Sequence, residues 1–123
     1  MSGITLYKNY PMALITPRAR MDVLAAATLR QECNTLFEQG FMHFVLDLSQ
    51  IPVIDSAGIA TLVHIFKRCR QLGGAMQLAQ TMSPATQRVL HLTRFDQIFS
   101  TIDQAQIARL LAVAASTQAQ VGG

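Results

Sequence analysis

Apolar residues along this chain follow two periods. Short apolar runs predict strands, and apolar positions recurring every three to four residues predict helices. Ile4 to Tyr7 and Met12 to Thr16 are β-like segments around Asn9-Tyr10-Pro11, which predicts an opening hairpin. After Asp22, an alanine-rich segment carries Leu29, Cys33, Leu36 and Phe37 on one helical face and meets Gly40, a residue suited to the position just past a helix. The run Phe44-Val-Leu-Asp-Leu-Ser49 is apolar enough for a strand covered on both faces. Ile59, Leu62, Val63, Phe66 and Cys69 then recur at helical spacing, predicting a helix from Ser56 to about Gln71 that Gly73-Gly74 stops. Ala75 to Ala79 predicts the next strand, and Ser83-Pro84 supplies a cap residue followed by a proline suited to the first helical position. Ile98 to Ile102 predicts a last strand. Asp103 and Gln106 then have the spacing of a capping box ahead of a helix bearing Ile107, Leu110 and Leu111.

Strands alternating with helices in this order predict an α/β fold: a mixed, mostly parallel sheet of four to five strands with four helices packed against it and right-handed crossovers. The length of 123 residues suits one domain, expected over residues 1–116, with a fraying tail at 117–123. In parallel sheets, sites gather at the carboxyl ends of the strands. Asp47 and Ser49 near the end of one strand, and Asp55-Ser56 in the loop beyond it, fall at that edge.

Composition narrows the function classes. Half the residues are hydrophobic and 14% are charged, which favours a packed core over disorder. The net charge of +3 comes without a basic run, Lys67-Arg68 with Arg70 being the densest cluster, so direct nucleic-acid binding is not expected. Cys33 and Cys69 sit at apolar helical positions, as buried thiols of a reducing cytoplasm do. His43, His64 and His91 lie far apart with no ligand-like spacing, so neither a metal nor another cofactor is expected. No secretory pattern or membrane span is apparent, and the expected location is cytoplasmic without membrane insertion.

Ser56 carries the chemistry worth weighing. Near a helix start, its hydroxyl has two readings: a cap for the backbone N–H of Ile59, or an exposed acceptor for a phosphoryl group that the first turn would tolerate. Asp22 reads as a helix initiator or a contact residue, and Asp47 as a partner for loop amides or a contact residue. Strand, turn, serine and helix also describe a hydrolase nucleophile elbow. No acid lies between Ser56 and His91, however, and the first glycine of that motif is missing, so no catalytic residue is expected.

Val45-Leu-Asp47-Leu-Ser49, Ile54-Asp55-Ser56-Ala57-Gly58-Ile59, Leu72-Gly73-Gly74, Ser83-Pro84 and Leu90-His-Leu92-Thr93 ahead of Phe95 resemble, in order, the signature of STAS domains, the family of bacterial anti-sigma-factor antagonists. The resemblance spans roughly residues 10 to 112. It implies that Ser56 is phosphorylated by an anti-sigma factor that is also a serine kinase, and that a phosphatase reverses this. It also implies that Asp22, Asp47, Asp55, Ser56, Ala57 and Gly58 meet the partner. The chain departs from the family at Ala19, where a glycine is common, and at Ala60, where a second glycine is common. Arg18 and Arg20 add positive charge beside the acidic group. Similar domains also serve, unphosphorylated, as interaction subunits of lipid-transport, anion-transport or stress-sensing complexes. The oligomeric state stays open, a homodimer included.

Overall fold

The Asn9-Tyr10-Pro11 segment reverses the chain as its composition predicts. In a computed structural model, which describes residues 4–18, 22–80 and 82–109, β1 (Ile4–Asn9) pairs antiparallel with β2 (Met12–Pro17). β3 (His43–Leu46), β4 (Ala75–Ala79) and β5 (Ser100–Ile102) follow, each parallel to the strand before it, in the sheet order β1-β2-β3-β4-β5. The crossovers are α1 (Val23–Glu38), α2 (Ser56–Gln71) and α3 (Pro84–Leu92), the last followed by a short 3-10 turn at Phe95–Gln97. Residues 104–109 begin α4. The expected mixed α/β sheet with four helices is the observed fold.

The pleat decides what each sheet face buries. Ala13, Ile15, Phe44, Leu46, Met76 and Leu78 point to one face and meet Leu29, Cys33 and Leu36 of α1, Leu62, Ile65 and Cys69 of α2, and Leu90 of α3. Val45, Ala79 and Ile102 point to the other, where Ile107 of α4 packs. The capping box forms as its spacing predicts: Asp103 N donates to Gln106 Oε1 at 3.0 Å, and Gln106 N donates to Asp103 Oδ1 at 2.8 Å.

Two strands are shorter than the apolar runs predict. β3 stops at Leu46, and Asp47 Oδ1 bends back to accept Ser49 N at 3.0 Å. Asp47 N still donates to Ile15 O at 2.9 Å, one pairing beyond the strand. Leu48 and Ile51 are fully buried from the loop that follows, which is why this stretch reads as apolar without being strand throughout. In the same way β5 begins at Ser100 rather than Ile98, because Phe99 turns into the main core, its ring 5.5 Å from that of Phe66.

Gly40, at φ +93°, occupies the left-handed position after α1. Gly74 is required by proximity: a β-carbon there would collide with the Met42 carbonyl, whose oxygen accepts Ala75 N at 3.1 Å and starts the β3–β4 pairing. The expected turn around Ala19 and Arg20, Leu110 and Leu111 of the last helix, the boundary at 116 and the 117–123 tail lie outside the described residues.

Candidate functional site

Because β2, β3 and β4 run parallel, α1, α2 and α3 all begin at the same edge of the sheet. Each start has its own side-chain cap. Asp22 Oδ1 accepts Ala25 N at 2.9 Å, Asp55 Oδ1 accepts Gly58 N at 3.0 Å, and Ser83 Oγ accepts Thr86 N at 3.1 Å. Ser83 also donates to Pro52 O at 2.9 Å, which ties the start of α3 to the β3–α2 loop.

The capping reading of Ser56 is corrected by this geometry. Asp55, in extended conformation, is the N-cap of α2; its main-chain oxygen accepts Ile59 N at 3.0 Å, and Ser56 is the first residue inside the helix. The two residue types are near-equal cap formers, so adjacent Asp and Ser leave the choice to the backbone. With Asp55 in the cap, Ser56 stands exposed and its hydroxyl is not needed to start the helix. The amides of Ser56 and Ala57, in the first turn, have no intrahelical acceptor.

The other expected site residues divide. Asp22 and Asp55 are exposed, Asp47 and Ala57 are half-buried, and all four lie at the edge where Ser56 lies. Each of the three aspartates spends one oxygen on a local amide, so the structural readings of Asp22 and Asp47 hold, and each has a second oxygen beyond that bond. Gly58 is the exception. It is buried beneath α2 with its amide committed to Asp55, so it shapes the cap rather than offering a surface.

Apolar features of this edge escape sequence reading. Val23 and Leu24, directly after the Asp22 cap, are 68% and 79% exposed, and Val53 ahead of Asp55 is also exposed. The available signal is phase: Val23 and Leu24 precede the buried face that Ala26, Leu29 and Cys33 define. Alongside Ser56, a groove of about 550 Å³ runs between α2 and α3, walled by Ile59, Ala60 and Val63 on one side and Val89, Thr93 and Phe95 on the other.

Among the described residues, no side chain is hydrogen-bonded to the Ser56 hydroxyl. The one histidine of α2, His64, is engaged with Arg30 and Asn34 across the α1–α2 contact. Burial raises the Cys69 thiol to about 12 and raises Cys33 further, an effect that the neighbouring Cys69 and Glu32 reinforce, so both remain thiols rather than thiolates. Among the described residues, no group of three His, Cys, Asp or Glu converges as a metal site would require.

Because Asp55 both caps and carries charge, the two roles separate by substitution. Asp55→Ala is expected to lower the unfolding free energy by about 1 kcal/mol. Asp55→Asn, which keeps the acceptor and loses the charge, costs clearly less. Thermal unfolding followed by circular dichroism distinguishes them, and equal losses for both would mean that charge rather than the Gly58 hydrogen bond holds the helix start.

The family model for the STAS domain matches residues 4–107. Among solved structures, a putative anti-sigma factor antagonist from Thermotoga maritima is similar with a TM-score of 0.78 at 21% identity, over 91% of this chain and 94% of its own. The anti-sigma factor antagonist SpoIIAA in its unphosphorylated form is similar with a TM-score of 0.75 at 16% identity, over 91% and 96%. The phosphorylated form of SpoIIAA from Bacillus has a TM-score of 0.71 at 16% identity, over 89% and 98%.

Proposed function

This chain belongs to the STAS domain family, and from that membership we propose that it is an anti-sigma-factor antagonist, a cytoplasmic, non-enzymatic binding module switched by phosphorylation of Ser56. The observation that carries the proposal is the exposed Ser56 hydroxyl at the start of α2, relieved of the capping role by Asp55 and without a base of its own. Such a serine is a substrate. Its oxygen attacks the γ-phosphorus of ATP held by the partner kinase, the bond to ADP breaks, and the proton passes to a base on the kinase.

In the unphosphorylated state, Asp22, Asp47, Asp55, Ser56 and Ala57 meet the anti-sigma factor, with exposed Val23, Leu24 and Val53 supplying apolar contact on the same edge. The phosphoryl group adds about −1.5 to −2 charges next to Asp55. A like charge at about 4 Å costs roughly 1 kcal/mol in water and about 4 kcal/mol at a partly dry interface. Within the free domain, the N-terminus of α2 returns about 0.3–1 kcal/mol. The complex therefore loses more than the fold does, and a phosphatase that hydrolyses the phosphoserine restores binding. That SpoIIAA keeps a similar likeness to this chain in both forms, with TM-scores of 0.75 and 0.71, supports a switch that does not rebuild the fold. Among the described residues, no helix is long and apolar enough to cross a membrane.

Incubation with ATP, Mg²⁺ and the partner anti-sigma kinase, followed by intact mass measurement, is expected to show one added phosphate that Ser56→Ala abolishes. Partner capture with no phosphate on either protein would instead support a constitutive STAS interaction subunit.

A further inference from the structure

α2 carries His64, Lys67, Arg68 and Arg70 and no carboxylate. Across the α1–α2 contact, Arg30 Nη2 lies 3.2 Å from His64 Nδ1, and His64 Nε2 lies 3.4 Å from Asn34 Oδ1. A guanidinium only donates and an amide oxygen only accepts, so the proton of the neutral ring sits on Nε2 and Nδ1 is the acceptor. Burial first, then the charges of Arg30 and Arg68, hold His64 below its usual pKa of 6.5. Arg68 lies over the Phe37 ring at 5.8 Å and reaches Gln71 Oε1 at 3.5 Å. Among the described residues, no carboxylate lies within 4.0 Å of the side-chain nitrogens of Arg30, Lys67 or Arg68, so these three keep uncompensated charge at the surface.

Complementing the carboxyl end of the α2 dipole accounts for Arg68 and Arg70, which stand in its last turn. It does not account for Arg30, which comes from the middle of α1 and is aimed at the same cationic face. Nor does a phosphorylated Ser56 neutralise the group. Ser56, Ala60, Val63 and Lys67 follow one another along a single ridge of α2, which puts Lys67 about 16 Å from Ser56 and beyond the screening length of about 8 Å at physiological salt. Glu32 and Glu38 of α1 lie beyond 4.0 Å from the side-chain nitrogens of Arg30, His64, Lys67 and Arg68, which leaves the group open to an anion from outside the chain.

We propose that Arg30, His64, Lys67 and Arg68 form a docking surface for an acidic segment of a partner protein, its carboxylates on the cations and an apolar side chain on Ala60 and Val63. Three permanent charges beside an apolar groove wall suit a short acidic peptide. A nucleic acid would call for a longer basic stripe, and a membrane surface for a continuous face of large apolar residues beside the cations, where this one presents Ala60 and Val63. This surface stands independently of whether Ser56 is phosphorylated.

The test uses the full chain, ¹⁵N-labelled, titrated with a synthetic amphipathic peptide of leucine and glutamate. Amide shifts are expected to gather at Arg30, Asn34, Ala60, Val63, His64, Lys67 and Arg68, and the His64 pKa to rise as carboxylates offset the neighbouring guanidinium groups. Arg30→Gln with Arg68→Gln is expected to weaken the peptide by about three- to ten-fold. Lys67→Glu, at an exposed position, should do so with an unchanged melting curve. Shifts gathered elsewhere, unchanged affinity in Lys67→Glu, or tighter binding of a DNA duplex or of phosphatidylglycerol vesicles to the same residues would overturn the proposal.

Discussion

Ser56→Asp is expected to weaken the complex with the anti-sigma partner by about ten- to a thousand-fold while leaving the domain folded. The new carboxylate sits in the first turn of α2, beside the exposed Asp55. In the free protein it is solvated, and the helix dipole stabilises it by about 0.3–1 kcal/mol, which offsets repulsion from its neighbour. In the complex the same charge is partly desolvated against a surface that matched a neutral hydroxyl. Each 1.4 kcal/mol of that penalty is a factor of ten. Titration calorimetry with the partner, paired with thermal melting of each variant, reads both effects. Ser56→Asn, of similar shape to the aspartate and without its charge, is the control and should bind close to the parent. If aspartate and asparagine weaken binding equally, the effect is one of shape and the electrostatic switch is wrong.

A loss of opposite kind is expected for Leu62→Ala. Leu62 is fully buried in the main core, on the side of α2 that faces the sheet, with Leu46, Leu78 and Ile65 in the same cluster. Truncation removes the transfer free energy of the deleted methyl and methylene groups and leaves a cavity that a close-packed interior only partly closes, for a cost of about 2–5 kcal/mol. The midpoint of urea unfolding falls accordingly, while the molecules that remain folded bind the partner with unchanged affinity because the edge around Ser56 is untouched. A loss well under 1 kcal/mol would mean that α2 does not pack on the sheet through this residue. Together the two substitutions separate a surface that binds from a core that positions it.

Much of this was legible because the signals were local. α2 runs from Ser56 to Gln71 and β4 from Ala75 to Ala79, as helical spacing and an apolar run after Gly73-Gly74 predict. The caps at Ser83 and Asp103 depend on side chains reaching amides three residues ahead, a distance that sequence spacing reports directly. The lengths of β3 and β5 were not legible, since Leu48, Ile51 and Phe99 are buried from loops and an apolar residue does not record which element delivers it. The exposure of Val23 and Leu24 depends on where α1 begins relative to the sheet, and the pairing of Arg30 with His64 depends on how two helices lie against each other.

By itself, then, the order of periodic segments determined an α/β domain with Asp47, Asp55 and Ser56 at the carboxyl edge of its sheet, because period and capping chemistry act over a few residues. Only the tertiary structure decided that Asp55 rather than Ser56 caps α2 and that Gly58 is covered. It alone set Arg30 of α1 beside His64 of α2, with no carboxylate within 4.0 Å of either among the described residues. Those outcomes turn on backbone direction and on contacts between residues distant in the chain, which no local pattern encodes.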